Sequence, residues 1–483
     1  MRVTEEKKKY SEDSFMKLIY GVNDKPKFAQ VIVFAIQQLL AIMAATLVVP
    51  IIINGNVNNM VEAGQLAWTL DKPMSSTVAL FGAGIGTLVY LLFTKFKSPV
   101  FLGSSFAFLG SMTAAFAGAS SMALGYVGLI LGAVFAGLVY VVIAIVVKLA
   151  GVSWINKLMP AAVIGPTVTI IGLSLAGNAV GDLQKAPAGG DTKVALVCGL
   201  VTLAVTIICS VYGKKMLKLI PFIIGILSGY AVATVFTVIG NAAGIDALKV
   251  IDFSSFKTLV PEGKVVLETF ITLPEFTFLN ALGGFSEIDG AYIATVAVAY
   301  VPVAFVVFAE HLADHKNISS IIESDLLENP GLHRTLLGDG VGSMAGAFFG
   351  GCPNTTYGES VGCVAITGNA SVVTILTTAF AAIAISFLSP FVAFVNSIPG
   401  CVMGGVCVAL YGFIAVSGLK MVQKVDLEHN ANLFTVSVIL IAGIGGLSIS
   451  FGKVTITAIA CALILGILTN LMVNKARKNN TEE

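Results

Sequence analysis

Two glutamates stand where charge is rare. Glu310 lies in FVVFAEHLADH, after an apolar run that carries no charge from Ala291 onward. Glu359 lies in PNTTYGES, inside a second apolar stretch broken by Pro, Asn, Thr and Gly. A carboxylate at the centre of a membrane helix costs about 2.5–3.5 kcal/mol on insertion scales, so one found there marks a substrate or proton site by default. The plain alternatives are a structural pairing for Glu310 and a loop position for Glu359. Asp314 follows Glu310 by one helical turn and shares its face, unless it sits at the cytoplasmic boundary. His311 and His315 flank the same turn, where an interfacial, solvated histidine is the simpler reading. No G-x-x-x-x-G-K-[ST] loop, H-E-x-x-H pair or close cysteine pair occurs, and GSSFAF at 103–108 holds no G-x-S-x-G elbow. ATP-driven pumping, metal chemistry and hydrolysis therefore have no motif. The chemistry on offer is binding and proton transfer.

The elements that must position these groups follow from composition. Of 483 residues, 56% are hydrophobic and 11% charged, against about 25% charged in soluble proteins. This excludes a soluble enzyme, a disordered chain and a fibre. The 28 basic and 27 acidic residues nearly cancel, so no global field points to nucleic acid. The seven cysteines (Cys198, Cys209, Cys352, Cys363, Cys401, Cys407 and Cys461) sit in apolar surroundings and read as packing residues. The segment from Met1 to Lys27 is polar, which does not fit a cleaved leader. The chain reads as a polytopic membrane protein.

A crossing helix needs about 20 apolar residues. Such runs cover 31–53, 75–94, 123–147, 158–177, 194–212, 219–240, 291–313, 336–351, 370–394, 398–418, 430–449 and 455–474. Stretches 100–117 and 352–368 are apolar but interrupted, and irregular backbone at membrane depth survives only against protein or a wet cavity. Counting both gives fourteen spans, an even number that puts both termini on one side. Lysines recur at alternate loops: Lys7, Lys8 and Lys9; Lys95 and Lys97; Lys148 and Lys157; Lys214, Lys215 and Lys218; Lys420 and Lys424; then Lys475, Arg477 and Lys478. Basic residues accumulate on the cytoplasmic side, so both termini read as cytoplasmic and the acid-rich loop 241–290 as extracellular.

GAGIGTL, with Gly82, Gly84 and Gly86, recurs as GDGVGSM, with Gly338, Gly340 and Gly342, and each triplet precedes an interrupted span. PAAVIGP from Pro160 similarly echoes PGCVMGG from Pro399. The order divides the chain into a cytoplasmic tail (1–28), a first repeat of seven spans (29–240), the connecting loop (241–290), a second repeat of seven (291–475) and a tail (476–483). An odd number of spans per repeat turns the second copy upside down. Inverted repeats with broken helices near the midplane are the architecture of secondary transporters and of alternating access.

The interruptions have a use. Free backbone N–H groups and the positive dipole end at the start of a half-helix suit carbonyl oxygens. A nearby carboxylate accepts hydrogen bonds from substrate N–H groups. Two such pairs describe a site for a flat ring with alternating N–H and C=O edges, as in a nucleobase; an amino-acid amide offers similar groups.

Stretches along nearly the whole chain resemble the nucleobase–ascorbate transporter family, and most closely its bacterial uracil permease branch. They are QQLLAIMAATLVVP (37–50), LGSSFAF (102–108), AEH (309–311), NPGLHR (329–334), FFGGCPNTTYGES (348–360), VAIT (364–367), MGGV (403–406) and LYG (410–412). AEH together with PNTTYGE is the specific part. The resemblance implies an all-α membrane fold of fourteen spans in two inverted repeats, split into core and gate domains, with short strands opening spans 3 and 10. It implies proton-coupled uptake of uracil, no cofactor or metal, no catalytic residue, and a homodimer. Glu310 would bind the pyrimidine and take part in proton coupling, and Glu359 would supply the second carboxylate; Asp314 and His311, beside Glu310 in the sequence, are this chain's further proton-coupling candidates. Backbone amides at Phe106 and Gly358 would hold the carbonyl oxygens beside Tyr357, with Ala45 and Tyr411 lining the pocket.

Three residues depart from the family pattern. Gln38 replaces a histidine of the first span, Ser360 replaces the asparagine after the glutamate, and Asp314 stands where the nearest uracil permeases carry histidine. An acid at 359 fits the uracil branch, where purine carriers typically have glutamine. The sequence thus reads as a uracil:proton symporter of the cytoplasmic membrane. Its rivals are a xanthine or urate permease of the same family and, more remotely, a sulfate-permease-type anion transporter, whose cargo two acids would repel. A receptor or a membrane enzyme finds no supporting constellation.

Overall fold

Backbone amides in hydrocarbon must bond within their own segment, so long apolar runs fold as helices. The computed structural model describes residues 18–151, 154, 158–187, 189–214, 216–260, 263–451 and 454–479. The orientation-setting Lys7, Lys8, Lys9, Lys157 and Lys215, most of the 1–28 tail and the last residues, 480–483, lie outside the described residues.

In chain order come α1 (Phe28–Glu62), α2 (Ser76–Phe93), β1 (Leu102–Ser104), α3 (Leu109–Ala117), α4 (Met122–Ala150), α5 (Ala161–Ser174), α6 (Ala176–Leu183), α7 (Thr192–Tyr212) and α8 (Pro221–Ala243). Short turns fill the connection to α9 (Gly290–Ile321) and α10 (Leu332–Gly350). Then follow β2 (Asn354–Thr356), α11 (Gly358–Thr367), α12 (Val372–Ile385), α13 (Ser389–Ser397), α14 (Gly400–Val422), α15 (Asn430–Ile444), β3 (Ile449–Phe451), β4 (Val454–Ile456) and α16 (Ala458–Asn479). Among the described residues, eight helices are long and apolar enough to cross a membrane, and shorter apolar helices accompany them. The chain is a predominantly helical, multi-pass membrane protein.

Two places differ from the sequence reading. The run 370–394 is not one helix: α12 ends at Ile385, and Leu388 bridges to Ile271 before α13 begins. Pro390 sits in the first turn of α13, where its missing N–H costs nothing but where a continuing helix would lose a bond. Between α15 and α16 the chain forms an antiparallel hairpin, Ile449 opposite Ile456 and Phe451 opposite Val454. Gly446, at φ 72°, lies at the helix end, and the β-branched residues that follow favour strand.

The repeated glycines are contact surfaces. A Cβ added to Gly342 on α10 would stand 2.7 Å from the Gly86 carbonyl on α2, and one added to Gly340 3.0 Å from the Gly137 carbonyl on α4. Only hydrogen at those positions lets the backbones meet. Helices α2, α4, α9, α10 and α12 pack on one another, while α5, α7, α8, α14 and α15 form a second set of neighbours.

Candidate binding site

The site starts with the two short strands. β1 and β2 pair antiparallel, Leu102 opposite Thr356 and Ser104 opposite Asn354. A three-residue strand does not hold by itself; side chains brace this pair from the surrounding helices. The Asn354 amide donates to the Gly82 carbonyl at 3.1 Å, and the Asn354 backbone N–H donates to Ser343 Oγ at 3.0 Å. Thr87 Oγ1 accepts from the Leu102 N–H at 2.9 Å. The Tyr357 ring lies against Gly103, leaving no room there for a Cβ, and its hydroxyl donates to the Ser104 carbonyl at 2.7 Å.

Past β2 the chain turns directly into α11, so the first-turn N–H of Gly358 has no partner within the helix, while that of Glu359 meets its own carboxylate. A cavity of about 660 Å³ opens beside them. Glu310, Asp314, Phe106, Tyr357, Gly358 and Glu359 line it together with Phe222 and Leu410. It therefore lies where the two helix sets face each other. Asp314 is held by Thr356, whose hydroxyl donates to Oδ2 at 2.9 Å. All three carboxyl groups are half-buried and face one space. Such a volume is of the size that holds small molecules.

Ala45, Tyr411 and His311 lie outside that wall. Ala45 is buried on α1, and Tyr411 stands behind Phe106 with the rings edge to face at 6.3 Å. His311 and His315 are fully buried and stack at 4.0 Å, so neither is a solvated interfacial histidine. His311 Nδ1 lies 2.7 Å from Asp339 Oδ2 and its Nε2 3.0 Å from Thr335 Oγ1. His315 Nε2 lies 2.7 Å from the Tyr90 hydroxyl.

Sequence reasoning passed over Asp339, the acid inside the second glycine triplet. It is fully buried and paired with His311. Its signal was present, a charge within an apolar run, but glycine spacing drew the reading of that segment. It also passed over Lys218, Lys420 and Lys424 as cavity residues; all three are exposed and line the same space. They come from segments that join in space only.

Multi-pass helices around a half-buried, carboxylate-lined cavity define a membrane transport protein. The fold matches the transmembrane domain of the cyanobacterial bicarbonate transporter BicA, with TM-score 0.57, 14% identity and coverage of 93% of this chain and 98% of that one. It also matches the murine anion transporter Slc26a9, with TM-score 0.59, 12% identity and coverage of 94% and 70%. At these identities the likeness is one of fold.

The family model described as the permease family, that of the xanthine and uracil permeases, matches residues 29–451. Uracil permease of Bacillus caldolyticus is 37% identical over 460 residues, 95% of each chain. Uracil permease of Escherichia coli K12 is 34% identical over 456 residues, covering 94% of this chain and 93% of that protein. The chain belongs to the nucleobase–ascorbate transporter family.

Proposed function

We propose that this chain carries uracil across the cytoplasmic membrane together with a proton, by alternating access. The observation that carries the reading is the meeting of Glu310 and Glu359 in one cavity at the start of α11. Free backbone N–H groups there complement the ring's carbonyl oxygens, and the carboxylates complement its N–H groups. Phe106 and Gly358 would supply the amides, and Phe106 and Tyr357 apolar surface for the ring face. Relatives named uracil permease, matched over nearly their full lengths, support this base.

In this reading the chain comprises fourteen spans in two inverted repeats with both termini cytoplasmic, the helix set around α10 acting as core and the set around α14 as gate. Loading Glu310 with a proton and the cavity with a base would favour the same movement of one set against the other, which is what coupling requires. The exposed Lys218, Lys420 and Lys424 stand at or beside helix ends read as cytoplasmic, so the described cavity would open inward. The fold shared with anion transporters does not make this one: Glu310, Asp314 and Glu359 gather at the start of α11, where their charge disfavours an anion, whereas the lysines of the same cavity are exposed.

The test is uptake of radiolabelled uracil by cells expressing the chain, with unlabelled uracil, xanthine, urate and bicarbonate as competitors. Competition by uracil alone supports the reading. Competition by xanthine or urate at similar concentrations transfers the chain to the purine carriers.

A further inference from the structure

We propose that Gln38 and Ser360 act as one positioning unit that fixes where Glu359 stands in the cavity. The inference rests on the uracil reading and adds residues that do not touch the base. Ser360 follows Glu359 on α11 and is fully buried. Its hydroxyl accepts from Gln38 Nε2, on α1, at 2.5 Å and from the Phe101 backbone N–H at 2.9 Å. Those two bonds occupy both acceptor positions of the hydroxyl.

Phe101 closes the arrangement. Its N–H goes to Ser360, and its carbonyl accepts from the Tyr357 N–H at 3.3 Å. The residues on either side of Gly358 and Glu359 are thus both tied to one residue at the entry of β1. Gln38 ties the same point to α1. Gln38 is 2% exposed, Phe101 and Ser360 0%, so water cannot replace a lost partner and a deletion leaves a buried donor unpaired. Gln38 and Ser360 lie 322 positions apart in the chain and meet in a single hydrogen bond. A change at one end therefore needs the other.

The experiment is a double-mutant cycle on uracil uptake by the full-length chain, with rates referred to the amount of inserted protein. Gln38→Met and Ser360→Ala are each expected to raise KM about tenfold while the maximal rate stays within about twofold. The double variant is expected to match Ser360→Ala, because that change already removes the bond Gln38→Met removes, along with the one from Phe101. Ser360→Cys keeps the volume with a weak acceptor and is expected to show the same rise, whereas Ser360→Thr keeps the hydroxyl and restores KM. Unchanged KM in Ser360→Cys, or single effects that multiply in the double variant, would overturn the pairing. If the unchanged chain carries a different base, the uracil reading fails and the same cycle is read on that base, so the two failures remain distinct.

Discussion

Thr356 donates its hydroxyl proton to Asp314 Oδ2 across 2.9 Å. This bond ties β2, which leads into Glu359, to the helix that carries Glu310. Asp314 also lines the cavity with both glutamates, so the three acids share one electrostatic environment. Replacing Asp314 by histidine removes one negative charge from it and introduces a group that can carry a positive one. Asp314→His is expected to lower the pH of half-maximal uracil uptake, measured in whole cells from pH 5 to 8. An identical profile would remove Asp314 from the proton chemistry.

In the proposed reading Glu310 and Glu359, which line one cavity, accept from ring N–H groups. A hydrogen bond to a charged partner contributes about 1.5–3 kcal/mol, so losing the one at Glu359 weakens binding by about 10- to 150-fold, while Glu310→Gln removes the group that takes up the proton. Glu310→Gln and Glu359→Ala are each expected to reduce uptake to near background at micromolar uracil. Membrane content of the variants, measured by immunoblot, should match the parent. Near-normal uptake by both would contradict the site.

Gly342 and Gly412 offer a contrast within one chain. A Cβ on Gly342 meets the Gly86 carbonyl, while one on Gly412 meets nothing within 4 Å. Gly342→Ala is expected to destabilise the protein by about 1–3 kcal/mol through overpacking, whereas Gly412→Ala should be neutral or slightly stabilising. Thermal aggregation of the detergent-solubilised variants separates the two; equal melting temperatures would deny the tight α2–α10 contact.

Glu287 receives hydroxyl bonds from Ser120 and Ser121, each 2.7 Å long, and they hold its carboxyl below the usual glutamate range. A carboxyl depressed in the folded state stabilises above its unfolded pKa of about 4.3 and loses that contribution as pH falls through the folded value. Glu287→Gln is expected to melt below the parent at pH 7, the gap closing below about pH 4. A gap independent of pH would show that the charge is irrelevant.

The sequence was most legible where cost is local. A glutamate in an apolar run declares itself whatever surrounds it, and Gly, Pro and Asn within a span announce interrupted backbone, which β1 and β2 supply. Pairings that arise only in space were less legible. Nothing in the order of residues places Gln38 against Ser360, or Lys218 in one cavity with Glu310. The break at Leu388 was visible as Pro390, yet apolar length outweighed it. Asp339 shows the opposite failure: its charge was in plain view, but glycine spacing explained the segment without it.

The most direct measurement is uracil accumulation by purified protein in proteoliposomes under an imposed pH gradient, acid outside. The account predicts uptake above equilibrium that collapses on adding a protonophore and is absent with Glu310→Gln. Equal accumulation with and without the gradient, or gradient-driven accumulation by Glu310→Gln, would contradict it.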